Sequence, residues 1–319
     1  MIKKNKIKKF YLFPIVLILF LIILNINACK NSNTESPANN ISDSKNNITK
    51  DNKKIKDAIA VETFLADISQ NIAGERLDIA PLIPIGIDPH EFEPTPDDFT
   101  KISKSQLIII NGGGLEGWLE KALKNAASNA YIINASEGLE DVKNPDPHYW
   151  LDPNYVIDYV KNIKDGLIKE DPQGKDIYLK NSENYISKLK DLDNWIKNEV
   201  SIIPEDKRLL VTNHESMGYF AKRYGFKIIG TIIPNVSSDA SVSAKEFADL
   251  VEKIKASGAK AIFLETGSNP VLAKQLADET GIKVIYNLYT HSLSDKNGEA
   301  PTYIDMMKFN IKVIVDSLK

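Results

Sequence analysis

Short apolar runs alternate with helical patterns along most of this chain, in two sets of four separated by one long segment, 174–200, with no glycine or proline after its first residue. In the first set the runs 57–61, 77–83, 107–110 and 131–134 precede helical patterns at 64–73, 96–103, 117–127 and 154–169. In the second, 208–212, 227–233, 261–264 and 284–288 precede 216–224, 244–256, 270–279 and 303–318. Strand followed by helix, repeated, means crossover connections and hence parallel sheets. The runs show little polar alternation, as parallel strands covered on both faces do not. The reading is an α/β protein of two lobes, each a four-stranded parallel sheet with helices.

The separating segment runs from Gly174 to Val200, with apolar side chains at Ile177, Tyr178, Tyr185, Ile186, Leu189, Leu192, Trp195 and Ile196. That spacing predicts one continuous stripe on a helix of about 25 residues, roughly 37 Å long. A helix of this length between two lobes is a rigid connector; a helix hairpin inside one domain is the alternative. The expected organisation is an N-terminal lobe at 54–173, a linking helix at 174–203 and a C-terminal lobe at 204–319.

Upstream, Met1 to Lys9 carries five lysines and 11–24 is an apolar run of 14 residues, short of the roughly 20 a spanning helix needs. It leads to Ala28 and the only cysteine, Cys29. The pattern predicts a lipoprotein signal peptide at 1–28 and a lipidated Cys29, although Asn27 stands where a small residue is usual and Ile26 where leucine is commonest. An uncleaved N-terminal anchor is the alternative. Residues 29–53, rich in Asn, Ser, Lys and Asp, cannot bury a core and read as a flexible tether. A lone cysteine excludes an internal disulfide and leaves no thiolate in the folded body, so any metal site there must use nitrogen and oxygen. With 40 basic and 43 acidic residues and a net charge of −3, no basic patch suits nucleic acid.

The chain has four histidines, none on an amphipathic helix. His90 and His148 each close an Asp-Pro-His tripeptide, His214 follows Leu210-Val211-Thr212-Asn213, and His291 follows Leu288-Tyr289-Thr290. Each falls in a loop beyond the carboxyl end of an expected strand, where parallel sheets bind ligands, and there are two per lobe. This puts them face to face in an inter-lobe cleft as a candidate metal site. Imidazole nitrogens converging on one point favour zinc over hard cations. A hydrogen-bonded structural histidine is the alternative for each taken singly. His291 lies in a polar loop, 290–298, where exposure is the default.

In their order these motifs resemble the solute-binding lipoproteins of ABC importers for zinc and manganese. The resemblance covers about residues 55–318. It is carried by Asp88-Pro89-His90-Glu91-Phe92-Glu93-Pro94, by His148-Tyr149-Trp150, by 212–220 leading into Arg223-Tyr224-Gly225, and by 301–307. It implies two α/β lobes joined by one rigid helix with metal held between them. His90 and His148 match the N-lobe ligands, His214 a third position that is His in zinc binders and often Glu in manganese binders, and His291 a position where several relatives carry Asp. Glu91 and Glu215 adjoin ligand positions and Glu265 stands at a strand end, as residues orienting the ligands or as alternative ligands. Trp150 is expected to pack around the site. The stretch 134–147 lacks the histidine-rich loop common in zinc importers.

The resemblance implies an extracytoplasmic, monomeric carrier held to the membrane by Cys29. It would deliver zinc, or alternatively manganese or iron, to a permease coupled to a cytoplasmic ATPase. Two other classes compete. A zinc hydrolase would need an open metal position and shows no H-E-x-x-H here. A host-binding adhesin would need an interaction patch that the composition does not offer.

Overall fold

The computed structural model describes residues 55, 57–126, 128–139 and 146–319. The expected signal peptide, Cys29 and the tether lie outside the described residues. Strands β1 (Ala58–Ala60), β2 (Ile79–Pro81), β3 (Leu107–Ile110) and β4 (Tyr131–Asn134) form a first sheet in the order β2-β1-β3-β4. Strands β5 (Leu209–Thr212), β6 (Lys227–Thr231), β7 (Ala261–Glu265) and β8 (Lys283–Leu288) form a second in the order β6-β5-β7-β8. All pairings are parallel. The same order in both sheets means the same winding, and in each the connections reverse direction beside the first strand, which opens a crevice beyond the carboxyl ends.

The helices are α1 (Thr63–Ala73), α2 (Pro96–Lys104), α3 (Leu119–Asn125), α4 (Pro153–Glu170), α5 (Lys175–Val200), α6 (Gly218–Tyr224), α7 (Ala244–Ser257), α8 (Val271–Thr280) and α9 (Tyr303–Leu318). Local chemistry sets their starts. Thr95 with Asp98 and Ser243 with Glu246 form capping boxes at α2 and α7, and Asp152 accepts from the Asn154 amide at α4. Several elements are shorter than their sequence patterns, and two of them have a clear local cause. The apolar run 77–83 contains only three strand residues because Pro81 has no amide to donate, which an edge strand tolerates. The glycine-rich turn at 113–118 delays α3 to Leu119.

Helix α5 buries Tyr178, Ser182, Tyr185, Leu189, Leu192, Asp193, Ile196 and Val200, steps of three and four that keep one face inward. Ile177, expected on that face, is 43% exposed. The buried face packs on α1 and α4 of the first lobe and α9 of the second. One core runs through these helices and through α6, including Phe64, Tyr159, Leu189, Phe220 and Ile311. The opposite faces of the two sheets have cores of their own, around Ile108 and around Ile262. The lobes thus share their inner core and keep their outer cores separate.

Hydrogen bonds cross between the lobes as well. The Leu293 amide donates to Thr63 Oγ1 at 2.9 Å, the Tyr303 amide to Asp67 at 3.0 Å, and Trp150 Nε1 to the Thr290 carbonyl at 2.6 Å. The backbones also meet: a Cβ on Gly267, whose φ is +84°, would lie 2.9 Å from the Gly86 carbonyl oxygen. Only glycine combines that φ with that approach.

Candidate metal centre

The strand ends deliver the four histidines to one point. His90 follows β2, His148 follows β4, His214 lies two residues beyond β5 and His291 three beyond β8. His148, His214 and His291 are buried, at 0%, 0% and 6% exposure, and His90 is half-buried. His291 is therefore not the solvent-facing side chain its polar loop suggests. Trp150 holds that loop, donating to the carbonyl that precedes His291 while its ring stacks on Phe64 at 4.4 Å.

The repeated tripeptide has a structural reason. In both copies the aspartate accepts the backbone amide of the histidine two residues on, Asp88 from His90 at 2.9 Å and Asp146 from His148 at 3.0 Å. The intervening proline fixes φ, so the same turn is built twice and aims an imidazole from each loop. Below the second copy, Gly113 (φ +63°) lets the chain pass close to Pro147, where a Cβ would come within 3.2 Å of its Cα.

The Nε2 atoms of His90, His214 and His291 stand 3.2, 3.2 and 3.3 Å from Nε2 of His148. One donor atom from each of the four lies within 4.8 Å of all the others. A single nitrogen cannot be hydrogen-bonded well to three others at once. A tetrahedral ion with metal–nitrogen bonds of about 2.0–2.1 Å has nitrogen–nitrogen edges of about 3.3–3.4 Å, and the observed spacing fits that figure.

In three of the four rings the opposite nitrogen faces a carboxylate. His148 Nδ1 is 2.8 Å from Asp146 Oδ1, which places its proton on Nδ1 and leaves Nε2 as a lone pair. Glu265 serves the C-lobe pair together: His214 Nδ1 is 2.9 Å from one of its oxygens and His291 Nδ1 3.4 Å from the other, and Ser216 donates to it at 3.0 Å. Burial opposes the Glu265 charge, yet these two histidines hold its carboxyl well below the usual range. Burial pushes His90 down to about 4 and His148 well below its ordinary value, helped by the neighbouring imidazoles. Burial would also lower His291, but Asp88 and Glu265 outweigh it and raise the value.

Of the acidic residues singled out from sequence, Glu265 is at the cluster, while Glu91 and Glu215 are exposed and outside it. Asp88 and Asp146 were not singled out. Their signal was present as the first residue of each Asp-Pro-His, two positions before an imidazole. Asp88, Glu265 and His291 also offer ligand atoms within 4.8 Å of one another, so oxygen donors adjoin the nitrogen set.

A family model described as zinc-uptake complex component A, periplasmic (ZnuA) matches residues 59–317. Among curated proteins the chain is 35% identical over 261 residues to the manganese-binding lipoprotein MntA of Halalkalibacterium halodurans, covering 80% of this chain and 86% of that one. It is also 35% identical over 280 residues to a metal ABC transporter substrate-binding lipoprotein of Lactococcus lactis, covering 83% and 88%. Among solved structures, the periplasmic zinc binding protein TroA of Treponema pallidum superposes with a TM-score of 0.77 at 25% identity, covering 82% of this chain and 99% of that one. A manganese-bound periplasmic metal binding protein of Candidatus Liberibacter asiaticus gives 0.74 at 30%, covering 83% and 100%.

Proposed function

We propose, because the chain belongs to the zinc-uptake complex component A (ZnuA) family of transporter substrate-binding proteins, that it captures zinc outside the cytoplasm and delivers it to the permease of an ABC importer. A cytoplasmic ATPase would drive that permease, and a lipid on Cys29 would hold the carrier at the membrane. His90, His148, His214 and His291 are the proposed ligands, with Asp146 and Glu265 fixing the rings from behind.

The observation that supports the choice of zinc is that the Nε2 atoms of His90, His214 and His291 each stand at the edge length of a zinc tetrahedron from Nε2 of His148. An all-imidazole set suits zinc, and the general affinity order also places zinc above manganese. Four protein nitrogens leave a tetrahedral ion no position for water, which favours carriage over hydrolysis. The second reading is manganese. It is favoured by the manganese-named relatives and by the carboxylates of Asp88 and Glu265 beside His291, since manganese prefers oxygen donors.

Metal analysis of protein purified without added metal, followed by competition between zinc and manganese, tests both readings. The expected result is one zinc per chain, displacing manganese. Two or more equal sites, or no uptake of zinc, would overturn the zinc reading, and retention of manganese against zinc would establish the second.

A further inference from the structure

The four imidazoles are not equivalent. His148, His214 and His291 are sealed in the interior, and each has a carboxylate oxygen within 3.4 Å of its Nδ1. His90 is half-buried, and no ion pair joins its ring to a carboxylate among the described residues. His90 also lines a cavity of about 750 Å³ in which none of the other three histidines takes part. Gly113, Trp118, Val236 and Asp239 also line it. Its lining carries the carboxylates of Glu91, Glu93 and Asp239 and no lysine or arginine. A wall with acidic side chains of one sign attracts a hydrated cation to its floor.

We infer that His90 is the exchangeable ligand of the site, and that metal enters and leaves past it through this cavity. The inference rests on the importer reading and specifies its route. On release the bond from metal to His90 Nε2 breaks and a water from the cavity takes the vacated position, while the three anchored imidazoles hold on. On loading that water leaves as His90 closes the shell. The ring is neutral in both states, so the exchange needs no proton and no redox partner. Burial and surroundings give the order: a ring sealed in the interior beside a carboxylate is slow to turn, and the half-buried ring at the cavity is free to swing.

Exogenous imidazole tests the inference on the full chain in detergent, with zinc affinity read by competition with a chromophoric chelator. His90→Ala should weaken zinc binding by about tenfold or more, and millimolar imidazole should restore most of the loss, because the vacated space opens to solvent. His148→Ala should lose affinity without recovery, since its space is sealed. Recovery in both variants alike, or in neither, would overturn the inference.

Unmodified, metal-free protein supplies a second measurement that needs no variant. Diethylpyrocarbonate should acylate His90 first, as read by peptide mass spectrometry, and zinc should protect it. Modification of His214 or His291 as fast as His90 would overturn the order proposed. Failure of the unmodified chain to bind zinc would sink the zinc reading itself, whereas zinc binding with the wrong rescue pattern removes only the route.

Discussion

Glu265 carries more of the site than any other carboxylate, because two of the four imidazoles lean on it. Glu265→Gln keeps the shape and removes the charge, so zinc affinity should fall by about 10–100-fold. Glu215→Gln, at an exposed side chain, should cost far less. Equal losses in a chelator competition would contradict this assignment. Protons follow from the same residues. His90 at about 4 and His148 far below its ordinary value are neutral in the metal-free protein at neutral pH. His291, raised, keeps its proton to higher pH and must release it to bind metal. Metal affinity should therefore be full above the raised His291 value, begin to fall as pH drops through it, and steepen again toward about 4 as His90 takes a proton. A profile flat between pH 8 and 5.5 would contradict a histidine site. The cluster of four histidines was legible in the sequence because histidine is scarce and the tripeptide repeats. The roles of Asp88 and Asp146 were less legible, because only the folded turn brings an aspartate back to the amide of the histidine two residues on.

Helix α5 shows what an apolar pattern does and does not disclose. Its steps of three and four were readable, yet its inward face also carries Asp193, which no pattern of apolar residues flags. Asp193 is tolerated because Arg223, thirty residues away on α6, meets it with two nitrogens at 2.7 and 2.8 Å, and Tyr224 and Lys197 also donate to it. Arg223 also lies 3.2 Å from Asp152, the cap of α4, so one guanidinium ties three helices. Burial would raise the Asp193 carboxyl, but hydrogen bonds from Arg223, Lys197 and Tyr224 outweigh it and hold it down to about 2. A depressed carboxyl contributes stability above its unfolded value of 3.8, and this is lost as pH falls toward about 2. Arg223→Leu leaves a buried charge without its main partner and should destabilise by about 3 kcal/mol in denaturant unfolding at neutral pH. The same variant should lose part of the acid sensitivity between pH 4 and 2. Unchanged stability would mean that Lys197 and Tyr224 suffice.

At the scale of the molecule, the alternation of strand and helix disclosed two sheets but not how their inner faces are covered. Periodicity marks which side of a helix is apolar, and it does not say that α1, α4, α5, α6 and α9 bury those sides in one common core. That sharing has a thermodynamic consequence. Two lobes with separate cores would melt separately, whereas a common inner core with hydrogen bonds from Leu293 and Tyr303 to the first lobe couples them. Metal held by the proposed ligands would add a further tie, because His90 and His148 come from one lobe and His214 and His291 from the other. Zinc at about a thousandfold over its dissociation constant should stabilise the whole body by about 4 kcal/mol. For a body of this length that is an upward shift of about 10 °C in the melting temperature. Calorimetry of the full chain should show one transition of the folded body without metal and one, shifted upward, with zinc. Two transitions, only one of them moved by zinc, would mean that the metal belongs to a single lobe. A bridging ligand set cannot give that result, since losing either lobe removes two of the four nitrogens that hold the ion.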